Sequence, residues 1–82
     1  MNIYVGNLHY EVKENDLKQI MEEFGAVSSI KIISDKDSGR SKGFGFIEMD
    51  NNEEANNAIR SLNGKMLQGR PMAIKEATPR SY

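Results

Sequence analysis

The sequence predicts an α+β fold in the order β-α-β-β-α-β, and three observations carry that prediction. Two segments place apolar residues at the i, i+3, i+4, i+7 spacing of a helix. Four short runs are rich in β-branched and aromatic residues. Glycine, asparagine and aspartate separate these segments as turns. At 82 residues the chain has room for one domain with a single modest core, and its apolar share of 38% leaves much polar surface.

Residues 3–8 (Ile-Tyr-Val-Gly-Asn-Leu) read as the first strand, stopped by Gly6 and Asn7. Leu17, Ile20, Met21 and Phe24 then form one helical stripe. Glu14 and Asp16 suit its N-terminus and Gly25 its C′ position, but Lys13 is a poor N-cap, so the start is fixed only to within a residue or two. Ile30, Ile32 and Ile33 mark a second strand within residues 27–34. Residues 35–41 are turn chemistry, with Gly39 free to take a positive φ. A third strand covers residues 42–49. Asn51 caps a second helix with Glu54 at the capping-box position; its stripe is Ala55, Ala58, Ile59 and Leu62, and Gly64 closes it. Gly69, Arg70 and Pro71 lead into a last strand over residues 72–76, and Pro79 marks a tail. The domain is expected to span residues 1–78, with a short tail over 79–82.

This order is the split βαβ, ferredoxin-like arrangement: a four-stranded antiparallel sheet with two helices on one face. Two helices cover only one face, so the other is open to water or to a partner.

Composition excludes several functions. With no cysteine, a disulfide scaffold, a thiolate metal site and a cysteine nucleophile are ruled out. The single histidine, His9, excludes a His-rich metal site, so no metal or cofactor is expected. No apolar run reaches the ~20 residues of a membrane span. The first strand begins so early that a cleavable leader has no room before it, and a cytoplasmic protein is the expectation. Eleven Lys+Arg against twelve Asp+Glu give a net charge of −1, which argues against nucleic-acid binding by bulk charge. The charges are segregated, however. Residues 11–24 carry five acids and two lysines, residues 31–45 four cations and two acids, and residues 65–82 four cations and one acid.

Strand alternation divides the third strand into two rows. Gly43, Gly45, Ile47 and Met49 make an apolar row whose glycines would let a helix backbone pack closely. Lys42, Phe44, Phe46 and Glu48 make the other, with a charge at each end that is costly to bury. Periodicity alone leaves Phe44 and Phe46 compatible with the core; the charged flanks place them on the open face. The same parity puts Ile3 and Val5 inward and Tyr4 and Gly6 outward. Strands one and three are central neighbours in this topology, so Tyr4, Phe44 and Phe46 form one exposed aromatic cluster. Lys31 and Lys75 face outward beside it, Lys42 shares its row, and Arg40 and Arg80 lie in the adjoining loop and tail. Flat rings bordered by cations suit single-stranded nucleic acid, whose bases stack while its phosphates meet the cations.

Residues 42–49 (Lys-Gly-Phe-Gly-Phe-Ile-Glu-Met) resemble the RNP1 octamer of the RNA-recognition motif (RRM) at every position but the last, and residues 3–8 resemble its RNP2 hexamer. Asn63-Gly64 and Gly69-Arg70 also match the family's pattern, and the resemblance covers about residues 2–78. Within the family the chain is most similar to small single-RRM bacterial proteins of cyanobacterial type and to plant glycine-rich RNA-binding proteins. It ends at Tyr82 without a glycine-rich tail, which puts tail-dependent functions in doubt. The resemblance implies that Tyr4 and Phe44 each stack on a base, that Phe46 packs against sugars, and that Lys42 meets a phosphate. The expected binding set is Tyr4, Lys31, Lys42, Phe44, Phe46, Lys75 and Arg80. Met49 replaces the family's usual aromatic but faces the core. Lys13 stands where the family commonly has a Ser or Thr cap, which weakens a helix end and leaves the binding face untouched.

Other residues read more plainly. His9, at the rim, either contacts a base or, as lone loop histidines more often are, is a solvated polar residue, and it stays outside the binding set; Met66 and Leu67 cover the core edge or serve a protein partner. Glu48 either repels phosphate or accepts from a base amine. Three functions are open to a chain of this kind: a single-stranded RNA binder, with single-stranded DNA as an alternative ligand; a protein-interaction module; and an enzyme on the same fold. Modules of the second kind often lack the stacking aromatics, and no catalytic constellation or phosphate-cradling loop is visible for the third. The expectation is a monomeric, non-enzymatic RNA binder acting in post-transcriptional regulation or RNA chaperoning, with about micromolar affinity.

Overall fold

The computed structural model describes residues 1–77. Its elements are β1 (Asn2–Gly6), α1 (Glu14–Glu22), β2 (Ser29–Ser34), β3 (Ser41–Glu48), α2 (Asn52–Leu62), β4 (Met66–Leu67), β5 (Arg70–Pro71) and β6 (Ala73–Ala77). Four strands form one antiparallel sheet in the order β2-β3-β1-β6, and β4 and β5 form a separate hairpin. Apart from that hairpin, this is the expected ferredoxin-like arrangement.

One face of the sheet carries the core. Ile3 and Val5 of β1, Ile47 of β3 with Met49 just beyond it, and Ile74 of β6 cluster with Leu17 and Met21 of α1 and with Ala55, Ala58 and Leu62 of α2. All are at most 4% exposed, so alternation along each strand separates core from open face as expected. Ile30 and Ile32 pack half-buried against the same cluster, and a bulge between Ile32 and Ser34 shifts the β2–β3 register.

The helix starts follow local chemistry. At α1 the backbone N–H of Lys13 donates to Asp16 Oδ2 at 2.9 Å, so the carboxylate three residues on supplies half of a capping box where the cap residue supplies none. At α2 the Glu54 N–H donates to Asn51 Oδ1 at 2.9 Å.

Three expectations about glycines and strand ends are corrected. Gly25 is not a left-handed helix cap: α1 already ends at Glu22, and Gly25 is absent from the positive-φ glycines. It is small because a Cβ there would run into the side chain of Glu54 on α2. Gly43 and Gly45 do not admit a helix. A Cβ on Gly45 would stand 3.0 Å from Ile32 Cα of β2, and one on Gly43 3.0 Å from the Leu8 carbonyl oxygen. The glycines thus serve backbone neighbours at the twisted, bulged end of the sheet. The first strand ends at Gly6, because Asn7 turns the chain with a φ of 56°.

The hairpin was not expected. Gln68 and Gly69, with φ of 51° and 81°, join β4 to β5 through a two-residue turn with both central residues left-handed, the type I′ geometry that suits strand twist.

Each outer edge of the sheet is met by a side chain. Glu14 Oε2, from the first turn of α1, accepts from the Ile32 N–H of β2 at 3.0 Å. Asn63 Oδ1, at the C-cap of α2, accepts from the Ile74 N–H of β6 at 3.0 Å.

Candidate nucleic-acid interface

The sheet order places β1 between β3 and β6, so residues opposite one another share a face. Lys31 pairs with Phe46, Phe46 with Tyr4, and Tyr4 with Lys75. The open face is therefore crossed by one row, cation–ring–ring–cation, with one residue from each strand. Lys75 Nζ lies 5.4 Å from the centroid of the Tyr4 ring, within cation–π range.

Phe44 completes the cluster one step along β3. Its ring is 6.1 Å from that of Tyr4 at an interplanar angle of 28°, and Phe46 stands edge-on to both, at 63° to Tyr4 and 87° to Phe44. Phe46 is 42% exposed, whereas Phe44 and Tyr4 are half-buried. Gly6 lies beneath the Tyr4 ring, and its missing side chain lets that ring settle on the sheet.

Lys42 is exposed at the start of β3. It is one of the groups that hold the Asp35 carboxyl below its ordinary value, after the larger effects of the Asp37 and Ser38 N–H groups, which donate to Asp35 Oδ1 at 2.8 and 3.3 Å. Exposed acids of α1 (Glu14, Glu22) lie on the helical side, while Lys31, Lys42 and Lys75 border the rings. Of the expected set, the structure brings together Tyr4, Lys31, Lys42, Phe44, Phe46 and Lys75; Arg80 lies outside the described residues.

Sequence reasoning missed a clasp beside this face. Asn7 Nδ2 donates to the Pro71 carbonyl at 2.7 Å, and Arg70 Nη2 donates to Asn7 Oδ1 at 2.7 Å. The β1–α1 loop and the β4–β5 hairpin are thereby tied across more than sixty residues of chain, a link that only the fold reveals. His9 is engaged within the loop: its Nδ1 accepts from the Glu11 N–H at 3.1 Å, and its ring stacks on Tyr10 at 4.4 Å and 26°.

The sequence matches the family model described as RNA recognition motif over residues 3–73. The chain belongs to the RNA recognition motif family. Its relatives include the putative RNA-binding protein RbpE of Nostoc, 40% identical over 80 residues that make up 98% of this chain and 81% of the relative. RbpA of Synechocystis is 41% identical, over 98% of this chain and 79% of the relative. The human probable RNA-binding protein 23 is 45% identical over 98% of this chain, which spans only 18% of that larger protein. Among solved structures, RNA Binding Protein PG1 superposes with a TM-score of 0.94 at 48% identity, covering 100% of this chain and 99% of that one. The Rna15 RRM with bound RNA (GU) superposes with a TM-score of 0.86 at 30% identity, over 99% of this chain and 86% of that one. The family model and the Nostoc and Synechocystis relatives thus agree with the expected family likeness over nearly the whole chain.

Proposed function

We infer that this RRM domain, taken as residues 1–78, binds single-stranded RNA on the open face of its sheet, by reversible stacking and without covalent chemistry. The observation that carries the reading is the row Lys31–Phe46–Tyr4–Lys75, which sets two aromatic rings between two ammonium groups. An extended strand of about two to four nucleotides would lie across it, its phosphates meeting the lysines, and each stacked base contributing ~1–3 kcal/mol.

Exposure favours a different division of labour from the one the sequence resemblance implied. Phe46 is the most exposed of the three rings and stands directly opposite Tyr4, so it is the better platform for the second base. Half-buried Phe44, beside Tyr4, is then the ring that meets sugars. Arg80 and the backbone of β6 would add limited base preference. Duplex RNA should bind poorly, because its bases are already stacked. Acting as a monomer on transcripts in the cytoplasm, the domain fits post-transcriptional regulation or RNA chaperoning; relatives named as chloroplastic mark an organelle as the alternative compartment.

Selection from a random RNA pool tests the reading, with Phe44→Ala and Phe46→Ala as separate controls. Enrichment by the native chain that each variant loses supports it, and the larger loss identifies the stacking ring. Enrichment unchanged in both variants removes the RNA site from this face, and a parallel titration with single-stranded DNA ranks the two ligands.

A further inference from the structure

We propose a second stacking position beside the sheet: Tyr10, on the β1–α1 loop, takes one further base of the same RNA strand, and Lys42 and Arg70 meet the phosphates around it. The proposal rests on the RNA-binding reading above and extends its site beyond the sheet.

Tyr10 is 59% exposed, more than Phe46, although it is a large aromatic side chain in a chain with a small core. Its ring is not loose. The His9 ring lies nearly parallel to it at 4.4 Å, and His9 is itself held by the Glu11 N–H on Nδ1. A ring supported in this way on one side is pre-organised to receive a flat ligand on the other, which lowers the ordering cost of stacking.

The position is continuous with the sheet platform. One concavity of about 380 Å³ runs from Tyr4 and Phe44 to Tyr10, with Ser41, Lys42 and Arg70 on its walls. Two cations and no acid line it, which matches a phosphodiester strand. A second hollow that Tyr10 also lines carries both Lys13 and Glu14, so it offers a phosphate no such excess of positive charge.

The clasp gives this position its rigidity. Arg70 spends one N–H on Asn7 Oδ1, leaving other guanidinium donors for phosphate. Asn7 in turn holds Pro71 of the hairpin, so Arg70 is fixed to the very loop that carries Tyr10. The loop that carries Tyr10 and the hairpin that carries Arg70 are therefore joined by two hydrogen bonds beside the concavity, and a strand leaving the sheet at Phe44 would meet both.

Titration with oligouridylates and oligoadenylates of two to eight nucleotides tests the proposal, comparing the native chain with Tyr10→Ala, Tyr10→Phe and Phe46→Ala. The expected result is that Tyr10→Ala matches the native chain on the shortest oligonucleotides that bind and falls about fivefold or more behind it on longer ones. Tyr10→Phe, which keeps the ring, should follow the native chain at every length. If Tyr10→Ala equals the native chain at all lengths while Phe46→Ala loses binding, the second position does not exist and the sheet site stands. Equal loss at every length, with a lowered melting temperature, makes Tyr10 a structural residue and also overturns the proposal. If Phe46→Ala binds as well as the native chain, the RNA-binding reading itself fails, and this extension with it.

Discussion

The ring of Tyr4 lies over Gly6, two residues along its own strand: a Cβ at position 6 would stand 2.7 Å from the ring's Cζ and 2.8 Å from its Cε1. Residues i and i+2 point to the same face, so only the smallest residue lets the tyrosine lie down on the sheet. Gly6→Ala should therefore turn the ring upward while the fold survives, because the group displaced is the far end of a movable side chain. Affinity for a short single strand should fall about three- to tenfold, within what one stacked base contributes. An RNA titration paired with a thermal melt checks both halves.

Gly45→Ala should do the opposite. Its new methyl would meet the Lys31 carbonyl oxygen at 2.5 Å and Ile32 Cα at 3.0 Å, and neither backbone group has a rotamer to change. Strands β2 and β3 would have to separate, at a cost of about 1–3 kcal/mol. Urea denaturation should show a lower midpoint, and any weakening of RNA binding should track the folded fraction.

The Asp35 carboxyl accepts from the Asp37 and Ser38 N–H groups, which hold its pKa below the ordinary 3.8, with a lesser contribution from Lys42. A carboxyl depressed in the folded state contributes stability above the ordinary value, and that contribution is lost as pH falls through the depressed one. The turn joining β2 to β3 should therefore loosen in acid, with the amide resonances of Asp37 and Ser38 titrating to a midpoint below 3.8. Asp35→Asn should abolish that titration, since the amide can still accept but carries no proton to gain.

Salt dependence should be moderate. With about three to five phosphate contacts to a single strand, log K should fall against log[salt] with a slope of about −2 to −3.5. Replacing Lys31 or Lys75 by Met should lower the slope by about 0.7 each if each meets one phosphate. A slope near zero in the native chain would mean that the lysines bordering the rings stay in solvent.

The sheet was legible in the sequence because its two faces differ in kind. Parity defined two rows on the third strand, and the charges of Lys42 and Glu48 beside Phe44 and Phe46 decided which row is open; Tyr4 followed from the same rule. Helix stripes were legible for the equivalent reason at a period of 3.6. What stayed hidden depends on residues distant in sequence. Gly25 is small because of Glu54, Gly45 because of Lys31 and Ile32, and Asn7 meets Arg70 only once the hairpin has folded back. The hairpin itself is too short for a periodic signal; only its Gln68-Gly69 turn could have suggested it. Tyr10 could be placed on a loop from the sequence, but its exposure and its support by His9 could not.

The carboxylate of Glu14 on the Ile32 N–H and the amide oxygen of Asn63 on the Ile74 N–H have a consequence for crowded molecules. An open sheet has two margins, and each unfilled N–H along them is an invitation for a neighbouring chain to add a strand. Here one donor on each margin is already taken by a side chain anchored at a helix end, which interrupts the ladder a second copy would need to zip onto. Many copies gathered along one long transcript would thus meet without a continuous seam for self-assembly, and the rings on the broad face would stay free for nucleotides.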